Sequence, residues 1–188
     1  MKHSSPSGKQ VDLVMTQQFL DMLARNEDVT FQTFPDNKAN PSGKAVVLHG
    51  KLAQHDKTLI GLNQSGAGVF VMVNRGDGIV YAGNKTCRTN ANVIGIRALF
   101  ADADGVPLEP ILGKAPPPHI IVESSPGKWH TYWLTHDTQP KEFGDRQVAL
   151  AKLFGTDPAV KDLARVMRLP GFFHQKSAPF LTCLVLPK

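Results

Sequence analysis

The apolar run IGIRALFADADG, from Ile94 to Gly105, ends in two aspartates one residue apart, Asp102 and Asp104. Side chains alternate along an extended strand, so both carboxylates belong to one face, about 7 Å apart at the backbone. Two anions held together require a cation. Oxygen ligands of this kind suit Mg²⁺ or Mn²⁺, which complete an octahedral shell with water and substrate phosphates. A solvated strand end in which Asp104-Gly105 makes a turn fits the same residues equally well, because D-x-D is short and common.

Two further stretches carry chemistry. In SSPGKWHTYW, Lys128, His130 and Tyr132 share one strand face and Trp129, Thr131 and Trp133 the other. A lysine beside an imidazole can hold triphosphate oxygens, the lysine as a point charge and the histidine through an N–H donor. Taken alone, an exposed lysine and a satisfied structural histidine are the commoner outcome, and the two tryptophans read as core. In VKDLARVMRLPG, Asp162 stands three residues before Arg165 and six before Arg168. Arg168 can grip a phosphate bidentately and Asp162 can be a third metal ligand, whereas an Asp162–Arg165 ion pair explains the spacing just as well. His174 and Lys176 extend the basic character, with surface roles as the simpler reading.

The elements that must position these groups follow from periodicity. VDLVMTQQFLDMLARN repeats its apolar residues at helical spacing, VTFQTF and AVVLHG read as strands around the breaker-rich loop PDNKANPSGK, and KLAQHDKTLIGLNQ is a weakly patterned second helix. GVFVMVNRGDG and VIGIRALFADADG are expected as buried strands at the centre of a sheet, separated by the polar loop NKTCRTNAN. Beyond the proline-rich VPLEPILGKAPPP, HIIVESS and KWHTYWLT form a hairpin about Pro126-Gly127, and KEFGDRQVALAKLFG a helix. TDPAVKDLARVMRLPG is expected to open as a helix with Asp157 as cap and Pro158 at its first position, and FLTCLVL to close a sheet. The fold class is α+β, with a largely antiparallel sheet.

Composition bounds the function. The 188 residues carry 21 Lys and Arg against 16 Asp and Glu, a net charge of +5 that favours polyanionic partners such as nucleic acid. Cys87 and Cys183 are the only cysteines and fit no zinc or disulfide spacing, which matches a reducing cytoplasm. No apolar run approaches a membrane span, and MKHSSPSGKQ has no secretory core, so residues 1–10 are expected as a disordered tail. No H-x-H pair is present, and Tyr81 and Tyr132 lie in strand-like contexts, which argues against a relaxase.

In their order, ALFADADG, VESSPGKWHTYW and VKDLARVMRLPGFFHQK resemble the RepB-like primases of plasmids and phages, a branch of the archaeo-eukaryotic primase superfamily. The likeness spans about Val69 to Lys176. It implies a primase-polymerase catalytic core: an RRM-like antiparallel sheet over about 66–188 and an N-terminal α/β part over about 11–65, forming one domain. It implies that Asp102 and Asp104 bind catalytic Mg²⁺ or Mn²⁺, that His130 contacts the phosphates of an incoming NTP or dNTP, and that Asp162, or else Asp157 five residues earlier, is the third carboxylate. Lys128, Arg165 and Arg168 become phosphate or template contacts. Many relatives write the histidine motif as Ser-x-His, where this chain has Lys128. Relatives often continue into a helical domain, so this chain corresponds to an excised catalytic domain or a minimal enzyme.

The implied activity is primer synthesis on single-stranded DNA by two-metal nucleotidyl transfer, with a replicative helicase or a separate helical primase domain as candidate partners. The rivals are a D-x-D nucleotide-sugar glycosyltransferase, which leaves R-L-P-G unexplained, a non-catalytic single-strand-binding replication module, and a metal-dependent nuclease.

Overall fold

The structure, a computed structural model, describes residues 10–37 and 42–185; the expected N-terminal tail lies outside these except for Gln10. In chain order the elements are α1 (Leu13–Ala24), β1 (Val29–Pro35), β2 (Val47–Gly50), α2 (Leu52–Gln64), β3 (Ala67–Met72), β4 (Arg75–Gly76), a 3-10 turn at Asn90–Asn92, β5 (Val93–Gly95), β6 (Ala98–Ala103), α3 (Glu109–Leu112), β7 (Ile120–Ser125), β8 (Lys128–Leu134), α4 (Pro140–Phe154), β9 (Val166–Arg168), β10 (Phe173–His174), β11 (Phe180–Leu181) and β12 (Cys183–Val185).

Local chemistry sets the helix ends. The Asp12 carboxylate accepts the Met15 N–H at 2.9 Å and starts α1, which then buries Thr16, Phe19, Leu20, Leu23 and Ala24. Pro140 opens α4, and Gly155, at φ 69°, ends it in the left-handed conformation that glycine adopts without a Cβ penalty.

Two antiparallel four-stranded sheets share the core. One has the order β2-β1-β3-β9 and the other β12-β7-β8-β6, with β4-β5 and β10-β11 as small ribbons beside them. The first sheet draws strands from both ends of the chain, and one apolar cluster containing Phe19, Phe31, Phe100, Tyr132, Phe143, Leu169 and Phe172 joins both sheets. This is the expected α+β class. Among the described residues, no helix is long and apolar enough to cross a membrane.

Several sequence expectations are corrected. The runs around β3 and β6 do not pair at the centre of one sheet: β3 is interior to the first sheet, and β6 is an edge of the second. That edge is managed by α4, whose Gln147 side chain accepts from Phe100 N–H at 3.2 Å and donates to its carbonyl. VIGIRALFADADG is not one strand. It breaks at Ile96 and Arg97, where the Arg97 guanidinium turns inward to Glu27 at 3.0 Å and β5 leaves to pair with β4.

The helix expected from Asp157 does not form. Asp157 instead accepts the Ala159 N–H at 2.8 Å in a tight turn, and Val166–Arg168 extends to pair with β3. Strand pairing by β-branched and apolar residues outweighs the local cap signal. FLTCLVL is likewise divided at Thr182, whose backbone bonds Gly171 and Phe172 while its flanks join different strands.

Candidate active site

The β6–β8 ladder assembles the first part of the site. Asp102 and His130 are directly opposed across it, with Asp102 Oδ1 and His130 Nε2 3.8 Å apart. Past the end of the ladder, Lys128 Nζ reaches Asp104 Oδ1 at 2.7 Å. The two aspartates and the two basic residues singled out in the sequence therefore lie together.

Burial separates their roles. The Asp102 carboxyl is half-buried, and desolvation followed by repulsion from Asp104 raises its pKa, against the pull of Arg165 and Lys128. His130 is buried, and desolvation, with added repulsion from Arg168 and His174, lowers its pKa to about 3. The imidazole is neutral at physiological pH, so its approach to Asp102 is a dipole contact and not an ion pair. Its Nδ1 is buried with no hydrogen-bond partner among the described residues.

His174 belongs to the same site, although the sequence suggested a surface role. Its Nδ1 lies 3.2 Å from the Ser124 carbonyl, at the end of the β7–β8 hairpin, and its Nε2 is buried without a partner. Burial and Arg168 lower its pKa. The one local sign of this is that His174 follows Pro170-Gly171 and two phenylalanines, a segment the core must anchor.

Arg168 is already committed. Its guanidinium makes a bidentate pair with Asp36, at 2.8 and 3.1 Å, and sits 4.7 Å from the Phe70 ring centroid. Asp36 also accepts the Gln175 N–H at 2.7 Å. Arg168 thus braces β9 against the end of β1 while its charge reaches His130. Asp36, which the sequence did not single out, is the residue that makes this possible.

The third carboxylate is not gathered with the first two. Asp162 pairs with Arg165, Oδ2 to Nη2, at 2.8 Å, and the charge of Asp157 is the one that acts on Asp102. Among the described residues, no group of three or more His, Cys, Asp or Glu is arranged to hold a metal. Asp102 and Asp104 nonetheless fit a hard cation. Arg165 and Lys128 offset their mutual repulsion only in part, since the Asp102 pKa stays raised, and Mg²⁺ commonly takes one or two carboxylates with water and substrate phosphate.

The R-L-P-G segment has a mechanical explanation. Pro170 O accepts from Thr16 Oγ1 at 2.8 Å, Gly171 O accepts the Asp12 N–H at 2.8 Å, and Gly171 N–H donates to Thr182 O at 2.7 Å. It ties the start of α1 to the strands behind Arg168.

Residues 102–180 match the RepB DNA-primase N-terminal domain family. Residues 102–180 are therefore similar to RepB-type primase domains. The matched span contains Asp102, Asp104, Lys128, His130, Asp162, Arg165 and Arg168. The RepB-type fold extends over nearly the whole chain. The primase-polymerase AEP domain of cyanophage S-2L superposes with a TM-score of 0.72 at 21% identity, covering 94% of this chain and 91% of that one. The catalytic domain of primase RepB′, in complex with initiator DNA, superposes with a TM-score of 0.65 at 17% identity, covering 92% and 82%. Curated protein sequences offer no significant match.

Proposed function

We propose that this chain synthesises primers on single-stranded DNA, extending a nucleotide 3′-hydroxyl with an incoming NTP or dNTP during replication of a plasmid, phage or other mobile element. The observation that carries this reading is Asp102 on β6 and Asp104 just past its end, meeting His130 and Lys128 of β8, inside the RepB-type match.

In the reaction, the 3′-oxygen forms a bond to the α-phosphorus, the bond from that phosphorus to the pyrophosphate oxygen breaks, pyrophosphate leaves, and the hydroxyl proton passes to water. Mg²⁺ or Mn²⁺ held by Asp102 and Asp104 supplies charge neutralisation at the phosphates and a lower hydroxyl pKa. Neutral His130 donates one N–H to a phosphate oxygen without adding a charge. Lys128, exposed and paired with Asp104, would be free to turn its ammonium to the triphosphate once Asp104 held a cation. Asp162 serves as the third carboxylate: in its pair with the half-buried Arg165 the carboxylate is exposed, so the pair is weak enough, about 0–1 kcal/mol, to open. Asp157 is the competing assignment. The template is held through its backbone by basic groups, so binding weakens with salt. A replicative helicase or a separate helical primase domain completes the machinery.

The test incubates the chain with single-stranded DNA, labelled NTPs or dNTPs, and Mg²⁺ or Mn²⁺, with and without an annealed primer. Asp102→Ala/Asp104→Ala serves as control, and Asp162→Ala is compared with Asp157→Ala. Products from the wild type alone support the reading; DNA binding without any product moves it to a non-catalytic module.

A further inference from the structure

The outward face of the first sheet carries a ladder of arginine and aromatic groups that the catalytic reading does not use. Phe31, Val69, Val71 and Met167 turn into the core, so the alternate positions Phe34, Phe70 and Arg168 turn away from it. Phe34 and Phe70 meet edge to face at 5.5 Å between centroids, Arg168 lies over Phe70, and Arg88 lies over Phe34 with its Cζ 5.8 Å from the ring centroid. Both rings are only partly buried.

Beside Phe34 opens a cavity of about 410 Å³, walled by Arg88, Asn90, Asp162, Arg165 and Val166. Arg165 Nε is buried there without a hydrogen-bond partner. Two guanidinium groups against one carboxylate leave an excess positive charge on the wall. The cavity also shares Asp162, the candidate third carboxylate, with the proposed catalytic site.

We infer that the cavity between Phe34 and Arg165 seats one unpaired base of single-stranded DNA, its ring against Phe34 and its phosphate on Arg88 and Arg165. A flat apolar ring beside guanidinium donors matches a nucleotide with both its π-face and its phosphate. One of the candidate catalytic carboxylates, Asp162, forms part of the wall of this seat. The inference rests on the single-stranded-DNA reading above and adds the place where a base is held.

The experiment measures anisotropy of labelled oligo-dT and of an abasic oligomer of equal length on the full chain, without metal or nucleotide. Phe34→Leu keeps the apolar volume and removes the π-face, and Val166→Phe fills the cavity. Each is expected to weaken oligo-dT binding about ten-fold while leaving the abasic oligomer unchanged. Wild-type affinity in both variants, at wild-type unfolding temperature, overturns the seat. Loss of binding to free NTP or dNTP in place of oligo-dT also overturns it, because the cavity then belongs to the incoming nucleotide. If the variants do not fold, photocross-linking of a 5-iododeoxyuridine oligomer to the wild type decides: attachment at Phe34 is expected, and attachment only elsewhere overturns the seat. Primer synthesis by the wild type is scored separately. A chain that primes while Phe34→Leu binds normally fails only the seat, and one that uses Phe34 without making products fails only the catalytic reading.

Discussion

Asp102 and His130 face each other across the β6–β8 ladder with 3.8 Å between carboxylate and imidazole, yet neither is stabilised as an ion by the other. Burial holds His130 neutral and holds Asp102 above its ordinary carboxylate pKa. At both residues burial works against the charged form.

For His130 the consequence is a stability profile. The unfolded chain takes up this proton near 6.5 and the folded chain near 3, so between those values the unfolded state binds more protons and stability falls as pH falls. The contribution is complete above pH 6.5. Comparing metal-free wild type with His130→Gln by urea denaturation from pH 7 to 4 should show the wild type losing ground by up to about 1.4 kcal/mol per pH unit. A constant gap would count against the buried neutral histidine.

Asp102 behaves with the opposite sign. Its folded pKa is raised, so the ionised carboxylate at pH 7 opposes folding, and Asp102→Asn should leave the unfolding temperature unchanged or raise it. The same variant should make no primers. Mn²⁺ at ten times its dissociation constant stabilises the folded wild type by about 1.4 kcal/mol, a rise of about 3–6 °C by calorimetry, and the variant should lose that response. A variant with lowered stability and an intact metal response would reassign Asp102 to a structural role.

Asp36→Ala should be costly although it touches no reacting group. It strands the Arg168 guanidinium in a largely buried setting, where breaking a buried pair costs about 3–5 kcal/mol, visible as an earlier denaturation midpoint. Gly68→Ala should weaken the same brace, because an added Cβ would sit 2.4 Å from Asp36 Oδ1 and 2.8 Å from Arg168 Nη1.

Gly171→Ala tests the R-L-P-G tie. Gly171 has φ +89°, and a Cβ there would lie 2.2 Å from Asp12 O. The backbone conformation alone costs a non-glycine residue about 1–3 kcal/mol, and α1 would also be pushed from its seat. The expected result is a destabilised chain in which amide exchange accelerates first in α1; unchanged protection of α1 would separate the motif from the tie.

Much of the machinery was legible in the chain itself. D-x-D at the end of an apolar run, Lys128 and His130 two residues apart, and the hairpin about Pro126-Gly127 are local patterns, and strand alternation alone places each pair of side chains on one face. The first helix, the helix from Pro140 and most strands followed from periodicity for the same reason. Tertiary structure decided the rest, because it depends on which distant segments pair. The Asp157 segment became a turn and β9 because β3 offered a partner, and His174 entered the site because its segment returns beside Ser124. Arg168 found Asp36 across 132 residues of sequence. A pKa near 3 at His130 reflects the packing that surrounds it and the charges that distant strands bring near it, neither of which is written in its neighbours along the chain.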